Sequence, residues 1–220
     1  MRKILCYLSC FLFALGMLIL NQSAKAMPGG TPDGYKVVFV GDTGVGKTSI
    51  IKRMLNYDFN ANEESTIGAA FDKSLSRIID GNSINLNIWD TAGQERYHSF
   101  VNYYMHNASI AIVVCSVDDP DSQQNVKTWI NRVQDNIGLG LENIIVVLNK
   151  ADLKNESEES DFTPPSEVKF LETSAKNGYG ISDLTGEIFY LASLQIQNEN
   201  EIFSNVVIGN QSDAPPKSCC

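Results

Sequence analysis

The chain has 220 residues, a formal net charge of -9, 43% hydrophobic residues and 20% charged residues. This is ordinary globular usage, which argues against a chain disordered throughout; the acidic balance argues against a nucleic-acid binder, because phosphate contacts need a basic face. Five cysteines in this length do not make a disulfide scaffold.

Residues 1–26 read as a secretory signal peptide. Arg2 and Lys3 form a positive start, Ile4 to Leu20 is an uncharged apolar stretch, and Ala24-Lys25-Ala26 is a small-x-small cleavage pattern before Met27. An uncleaved signal anchor and a true start at Met27 are the alternatives. Without this leader the chain keeps 14 basic and 26 acidic residues, a net of -12.

From Tyr35 onward strands and helices alternate. Tyr35 to Val40 reads as a short apolar strand and Thr48 to Leu55 as a helix. Phe71 to Ile79 and Ile84 to Trp89 flank Asp80-Gly81-Asn82, a hairpin signal. Ser109 to Val117 and Asn143 to Leu148 are continuous apolar runs, as in buried parallel strands. Between them Val126, Ile130, Val133 and Ile137 recur at helical spacing, after a loop and helix start at Asp118, Asp119, Pro120 and Asp121. Val168 to Leu171 is a last strand, and Ile181, Leu184, Ile188, Leu191 and Leu194 mark a closing helix. The predicted fold is α/β: a mostly parallel six-stranded sheet with one antiparallel edge strand and helices on both faces. The expected domain covers residues 35–197, and 198–220 is expected to be a flexible tail.

The chemistry falls at strand ends. Gly41-Asp42-Thr43-Gly44-Val45-Gly46-Lys47-Thr48 matches G-x-x-x-x-G-K-[ST] between a strand and a helix. Glycines let backbone N–H groups turn inward around phosphate oxygens, and the helix N-terminus adds positive potential. Lys47 is expected to reach the β- and γ-phosphates, and Thr48 to offer its hydroxyl to Mg²⁺; Ser49 completes the expected set. Trp89-Asp90-Thr91-Ala92-Gly93-Gln94 is expected to supply the reaction. Asp90 holds Mg²⁺ through water, Gly93 lets the backbone approach the γ-phosphate, and Gln94 orients the attacking water. Asn149-Lys150-Ala151-Asp152 names the base. A carboxylate such as Asp152 accepts from guanine N1–H and its exocyclic amine, a pair that adenine lacks. Asn149 can bond the base edge, and the Lys150 stem can cover its face.

These segments, in this order, resemble the Ras superfamily of small GTPases. Phe71, the W-D-T-A-G-Q-E-R-Y run and the terminal Cys219-Cys220 resemble the Rab family; residues 64–71 and 96–100 are most similar to its early-endosome subgroup. The resemblance implies a switch that binds GTP and GDP with Mg²⁺ and hydrolyses GTP. It implies that Thr66 closes on Mg²⁺ and the γ-phosphate, that Phe59 packs against the base, and that the Ser174-Ala175-Lys176 loop meets the guanine oxygen through Ala175. Phe71, Trp89 and Tyr104 match the aromatic triad that Rab effectors read. Lys47, Thr66 and Gln94 form the implied catalytic set. Implied partners are an exchange factor, a GTPase-activating protein and effectors on the switch loops, for a chain expected to be monomeric.

With GTP bound, Thr66 and the Gly93 amide can hold two loops that relax after hydrolysis. The phosphate loop contains no arginine, so intrinsic hydrolysis is expected to be slow. Two terminal cysteines suggest double prenylation and stable anchoring to vesicle or endosomal membranes from the cytosol. A working signal peptide conflicts with that address. A nucleotide-binding scaffold without turnover, or an exported mimic acting on host vesicles, are the competing functions. The tail carries little positive charge, so a polybasic targeting patch is not expected. Pro164-Pro165 argues for a loop or single turn where the family usually has a helix. Cys115 is expected to be a buried small hydrophobe, and His98 and His106 to be surface or packing residues.

Overall fold

The structure is a computed structural model that describes residues 34–64, 66, 69–91, 104–154 and 162–209, with the backbone alone for 69–73 and 199–209. Six strands form one sheet: β1 (Tyr35–Val40), β2 (Ala69–Ile79), β3 (Asn82–Thr91), β4 (Ile110–Ser116), β5 (Ile144–Asn149) and β6 (Lys169–Glu172), in the order β2-β3-β1-β4-β5-β6. β2 pairs antiparallel with β3, and every other pairing is parallel, as the sequence predicts. Asp80 and Gly81, both at positive φ, make the two-residue hairpin turn between β2 and β3. Among the described residues the α-helices are α1 (Lys47–Met54), α2 (Pro120–Gln124), α3 (Val126–Ile137) and α4 (Ile181–Gly209). Asp119 caps α2 by accepting from the Ser122 N–H.

Residues along β1, β4 and β5 alternate between two apolar layers. Val37, Phe39, Ile110, Ile112, Ile145 and Val147 pack with α1 and α4, through Ile50, Ile51, Leu184 and Ile188. Val38, Val40, Val113, Cys115 and Val146 pack on the other face, with Trp129, Ile130 and Val133 of α3. Every residue of β4 and β5 is buried, which is why these strands read as unbroken apolar runs. Cys115 is fully buried, as expected, and burial pushes its thiol up to about 12. The His106 carbonyl accepts a hydrogen bond from Lys36 Nζ, and the residue is exposed.

Two differences stand out. The closing helix runs on to Gly209, well past the expected domain limit at 197. No proline or glycine interrupts residues 187–208, so its backbone hydrogen bonds can continue after the apolar stripe ends. The sequence reading of 198–209 as flexible tail is corrected to helix on that ground. Residues 162–165, including Pro164-Pro165, form no helix, as expected. The leader (1–26), Gly93, Gln94, residues 96–100 with His98, the acidic run 155–161, and Cys219 and Cys220 lie outside the described residues. No helix among the described residues is long and apolar enough to cross a membrane.

Candidate functional site

A parallel sheet gathers the C-terminal ends of its strands on one edge, and a crevice opens where the strand order reverses. Here the loop 41–46 leaves β1 beside the end of β3, while Asn149 ends β5 and residues 173–176 follow β6. A cavity of about 400 Å³ lies between them. Its walls include Thr43, Gly44, Gly46, Lys47, Thr48 and Ser49 at one end, and Asn149, Lys150, Asp152, Ala175 and Lys176 at the other. Phe59, Glu63 and Thr66 border it, and Phe59 is 39% exposed.

Two glycines in the loop tolerate no side chain. Gly41 has φ +139, and an added Cβ would meet the Val114 carbonyl oxygen at 2.1 Å. Gly46, at φ +96, starts α1, and an added Cβ would meet Asn149 Nδ2 at 2.3 Å. The turn therefore presses against β4 and the end of β5 and leaves its free side to the cavity.

Lys47 is 5% exposed. Its Nζ donates to the carbonyls of Gly41 (2.9 Å) and Asp42 (2.8 Å). Burial pushes the ammonium down to about 8, against the opposing pull of Asp90 and Asp42. The group is held by two neutral carbonyls, so an anion in the cavity offers it a better partner.

Three oxygens converge beside it. Thr48 Oγ1 donates to Asp90 Oδ2 at 2.5 Å, Thr66 Oγ1 donates to the same oxygen at 3.0 Å, and the two hydroxyls are 2.9 Å apart. Asp90 is 2% exposed, so this carboxylate is buried in the site. Thr91 Oγ1 donates to the Phe39 carbonyl at 2.6 Å and ties β3 to β1 at this point. Hard oxygens on short side chains, together with phosphate oxygens, are the donor set that Mg²⁺ takes, so these residues fit that ion.

The other end is stitched by Asn149, which is 2% exposed. Its Nδ2 donates to the Val45 carbonyl at 2.9 Å; its Oδ1 accepts from Thr173 Oγ1 (3.1 Å) and the Ala175 N–H (3.3 Å). The side chain joins the two walls of the cavity, and the bond to Val45 takes one of the two Nδ2 hydrogens. Asp152 Oδ1 accepts from Ser174 Oγ at 2.5 Å, and its Oδ2 lies 3.6 Å from Lys176 Nζ. Lys150, at φ +60, extends to Asp118 Oδ2 at 2.9 Å. Burial raises the Asp118 carboxyl, but the hydrogen bond and charge of Lys150 oppose it, and the group is held below its ordinary value.

Not every predicted site side chain faces the cavity. Val45 is fully buried in the α1 layer. The Asp42 carboxylate points to α3, where it accepts from Trp129 Nε1 and Asn125 Nδ2, each at 2.8 Å. Thr173, Trp129 and Asn125 were not singled out in the sequence. Thr173 adjoins the Ser174 motif, and Trp129 sits beside the apolar stripe of α3; the contacts themselves left no local signal. In the aromatic triad, Phe71 lies opposite Trp89 in the β2–β3 register, and the Trp89 and Tyr104 ring centres are 6.3 Å apart. Lys36 Nζ stands 4.4 Å from the Trp89 ring centre.

A strand, a glycine-cornered turn and a helix that opens on Lys47-Thr48, facing a second loop pair at the strand ends, define a P-loop nucleotide-binding domain. Comparison with known proteins narrows this. The sequence model of the Ras family matches residues 36–198. The chain is 35% identical over 192 residues to Ras-related protein RABF2a of Arabidopsis thaliana, an alignment covering 84% of this chain and 94% of that one. The chain belongs to the Ras family and is a Rab-type small GTPase. Its reaction class is the hydrolysis of GTP to GDP and phosphate, and members of the family bind these nucleotides with Mg²⁺.

Proposed function

We propose that the cavity takes GTP and GDP with Mg²⁺, and that hydrolysis switches a surface read by effectors on endosomal or vesicle membranes. The observation that carries this reading is one continuous cavity lined at one end by the glycine turn, Lys47 and Thr48, and at the other by Asp152 and Ala175. That span suits a nucleotide with its phosphates on α1 and its base at the 149–152 loop.

The side chains divide the work. Lys47 leaves its carbonyl partners for the β- and γ-phosphates. Asp152 accepts from guanine N1–H and the exocyclic amine. Phe59 and the Lys150 stem cover the base, and the Ala175 amide meets the guanine oxygen. Asn149 keeps the two loops at a constant separation. Thr48, Thr66 and Asp90 would hold Mg²⁺, which would supply positive charge against the phosphates. Gln94 orients the attacking water, and the Gly93 amide with Thr66 couples the γ-phosphate to two loops. With no arginine in the phosphate loop, turnover is slow until an activating protein supplies charge.

Effector recruitment is assigned to Phe71, Trp89 and Tyr104, supported by the contact between the last two. An exchange factor acts on the same loops. Endosomal address rests on the likeness of residues 64–71 and 96–100 to the early-endosome Rabs, and membrane attachment on prenylation of Cys219 and Cys220.

The test is a titration of the purified chain with GTP, GDP and ATP, with and without Mg²⁺, followed by phosphate release. GTP and GDP are expected to bind, ATP to fail, and phosphate to appear slowly and only with Mg²⁺. ATP binding as tight as GTP overturns the base assignment. Tight GTP binding without phosphate, even with an activating protein, makes the chain a scaffold.

A further inference from the structure

The phosphate loop of this acidic chain carries a carboxylate, Asp42, where an anion is to bind. Such a charge repels phosphate unless it is turned away and paired. Asp42 is both. Its Oδ1 accepts from Trp129 Nε1 and its Oδ2 from Asn125 Nδ2, one donor per oxygen at 2.8 Å each. Trp129 is 2% exposed, and the Arg132 guanidinium lies 4.9 Å from its ring centre. Asn125 joins α2 to α3, so both donors belong to one rigid unit packed on β4. The other end of Asp42 faces the cavity side: its carbonyl accepts from Lys47 Nζ at 2.8 Å. One residue thus links α3 to the phosphate lysine.

We infer that Asp42, Trp129 and Asn125 form a clamp that positions the phosphate loop for the nucleotide's β-phosphate. They are positioning residues that act through Lys47, and the inference rests on the guanine-nucleotide reading of the cavity. Losing a donor frees the carboxylate to turn toward the phosphates and lets the loop shift under Lys47. The effect therefore falls on the phosphates beyond the first and spares the base.

The test uses Trp129→Phe, which keeps an aromatic ring and removes the N–H. GDP is expected to leave about tenfold faster, the scale of one hydrogen bond to a charged group. GMP, which has no β-phosphate for Lys47, is expected to keep its affinity within about twofold. Asp42→Ala removes the bonds to both Trp129 and Asn125, so GDP should leave at least as fast as from Trp129→Phe, and adding Trp129→Phe to Asp42→Ala should change nothing further, because the indole N–H then has no carboxylate to lose. Asp42→Asn still accepts from Trp129, and Asn125 can rotate its amide to meet it; GDP release should return to within about threefold of wild type. GDP release unchanged in Trp129→Phe, equal losses for GDP and GMP, or additive losses in the double variant each overturn the clamp. If Trp129→Phe does not fold, Asp42→Ala against Asp42→Asn decides: a clear gap supports the clamp and equality overturns it. A wild-type chain that binds no GDP overturns the nucleotide reading and the clamp with it, whereas GDP binding by wild type with an indifferent Trp129→Phe overturns the clamp alone.

Discussion

The two ends of the cavity satisfy their polar groups differently. At the phosphate end the partners are exchangeable: Lys47 rests on two backbone carbonyls, and Thr48, Thr66 and Asp90 rest on one another. Each of these groups has a stronger partner in a phosphate or a divalent cation. At the base end Asn149 uses its amide and its carbonyl on three residues from two other loops. These three bonds hold the side chain between the two loops. One end is poised to be rearranged by what binds, and the other holds the frame against which that rearrangement is measured.

Lys47→Met tests the first half of this contrast and has the largest expected effect. Nucleotide affinity should fall by about 100-fold or more, since a charge-assisted phosphate contact is lost. The nucleotide-free protein should become more stable by about 1–2 kcal/mol, because burying the lysine charge is unfavourable. Thermal unfolding beside a binding titration reads both signs. A loss of both stability and affinity breaks the idea that Lys47 has exchangeable partners.

Asn149→Ala tests the second half. The Val45 carbonyl and the Ala175 N–H lose a buried partner, so stability should fall by about 2–3 kcal/mol, seen as a lower midpoint in denaturant. GTP, GDP and GMP should all bind more weakly, because both walls shift. Asp152→Asn should behave otherwise: stability within about 1 kcal/mol of wild type, but GTP affinity down by roughly 10-fold to 100-fold, measured by competition. If Asp152→Asn and Asn149→Ala give the same pattern, the division between frame and recognition at the base end fails.

A pH slope probes the same lysine, and its effect is smallest when read over a single pH unit. Lys47 falls from 10.5 to about 8 in the folded, nucleotide-free chain. Between these values the unfolded chain binds the extra proton, so this group makes the empty protein more stable as pH rises from 8 to 10.5 and contributes no slope below 8. A bound phosphate restores the charged form, so nucleotide affinity should fall over the same window, by up to about tenfold per pH unit. The difference in slope between wild type and Lys47→Met isolates the group.

What was legible in the sequence followed from local chemistry. Alternation and apolar runs marked the strands to within a few residues, because β4 and β5 are buried on both faces and must be apolar throughout. The glycine loop was legible because phosphate binding needs glycine, lysine and a hydroxyl at set intervals along one turn. The end of α4 was not: once the apolar stripe stops, periodicity is silent, while the backbone stays helical through Gly209.

The direction of a polar side chain within the site was also beyond the sequence. Trp129 lies 87 residues from Asp42, and Asn149 lies 104 from Val45; nothing in either neighbourhood names the other. The order β2-β3-β1-β4-β5-β6 stacks their strands and loops side by side, and burial then obliges each polar group to find whichever partner the packing brings near. The sequence by itself determined the class of fold, the nucleotide motifs and their chain order, because those depend on residues close together. Tertiary structure alone decided that Asn149 holds two walls together and that Asp42 faces α3, because hydrogen bonds form between neighbours in space.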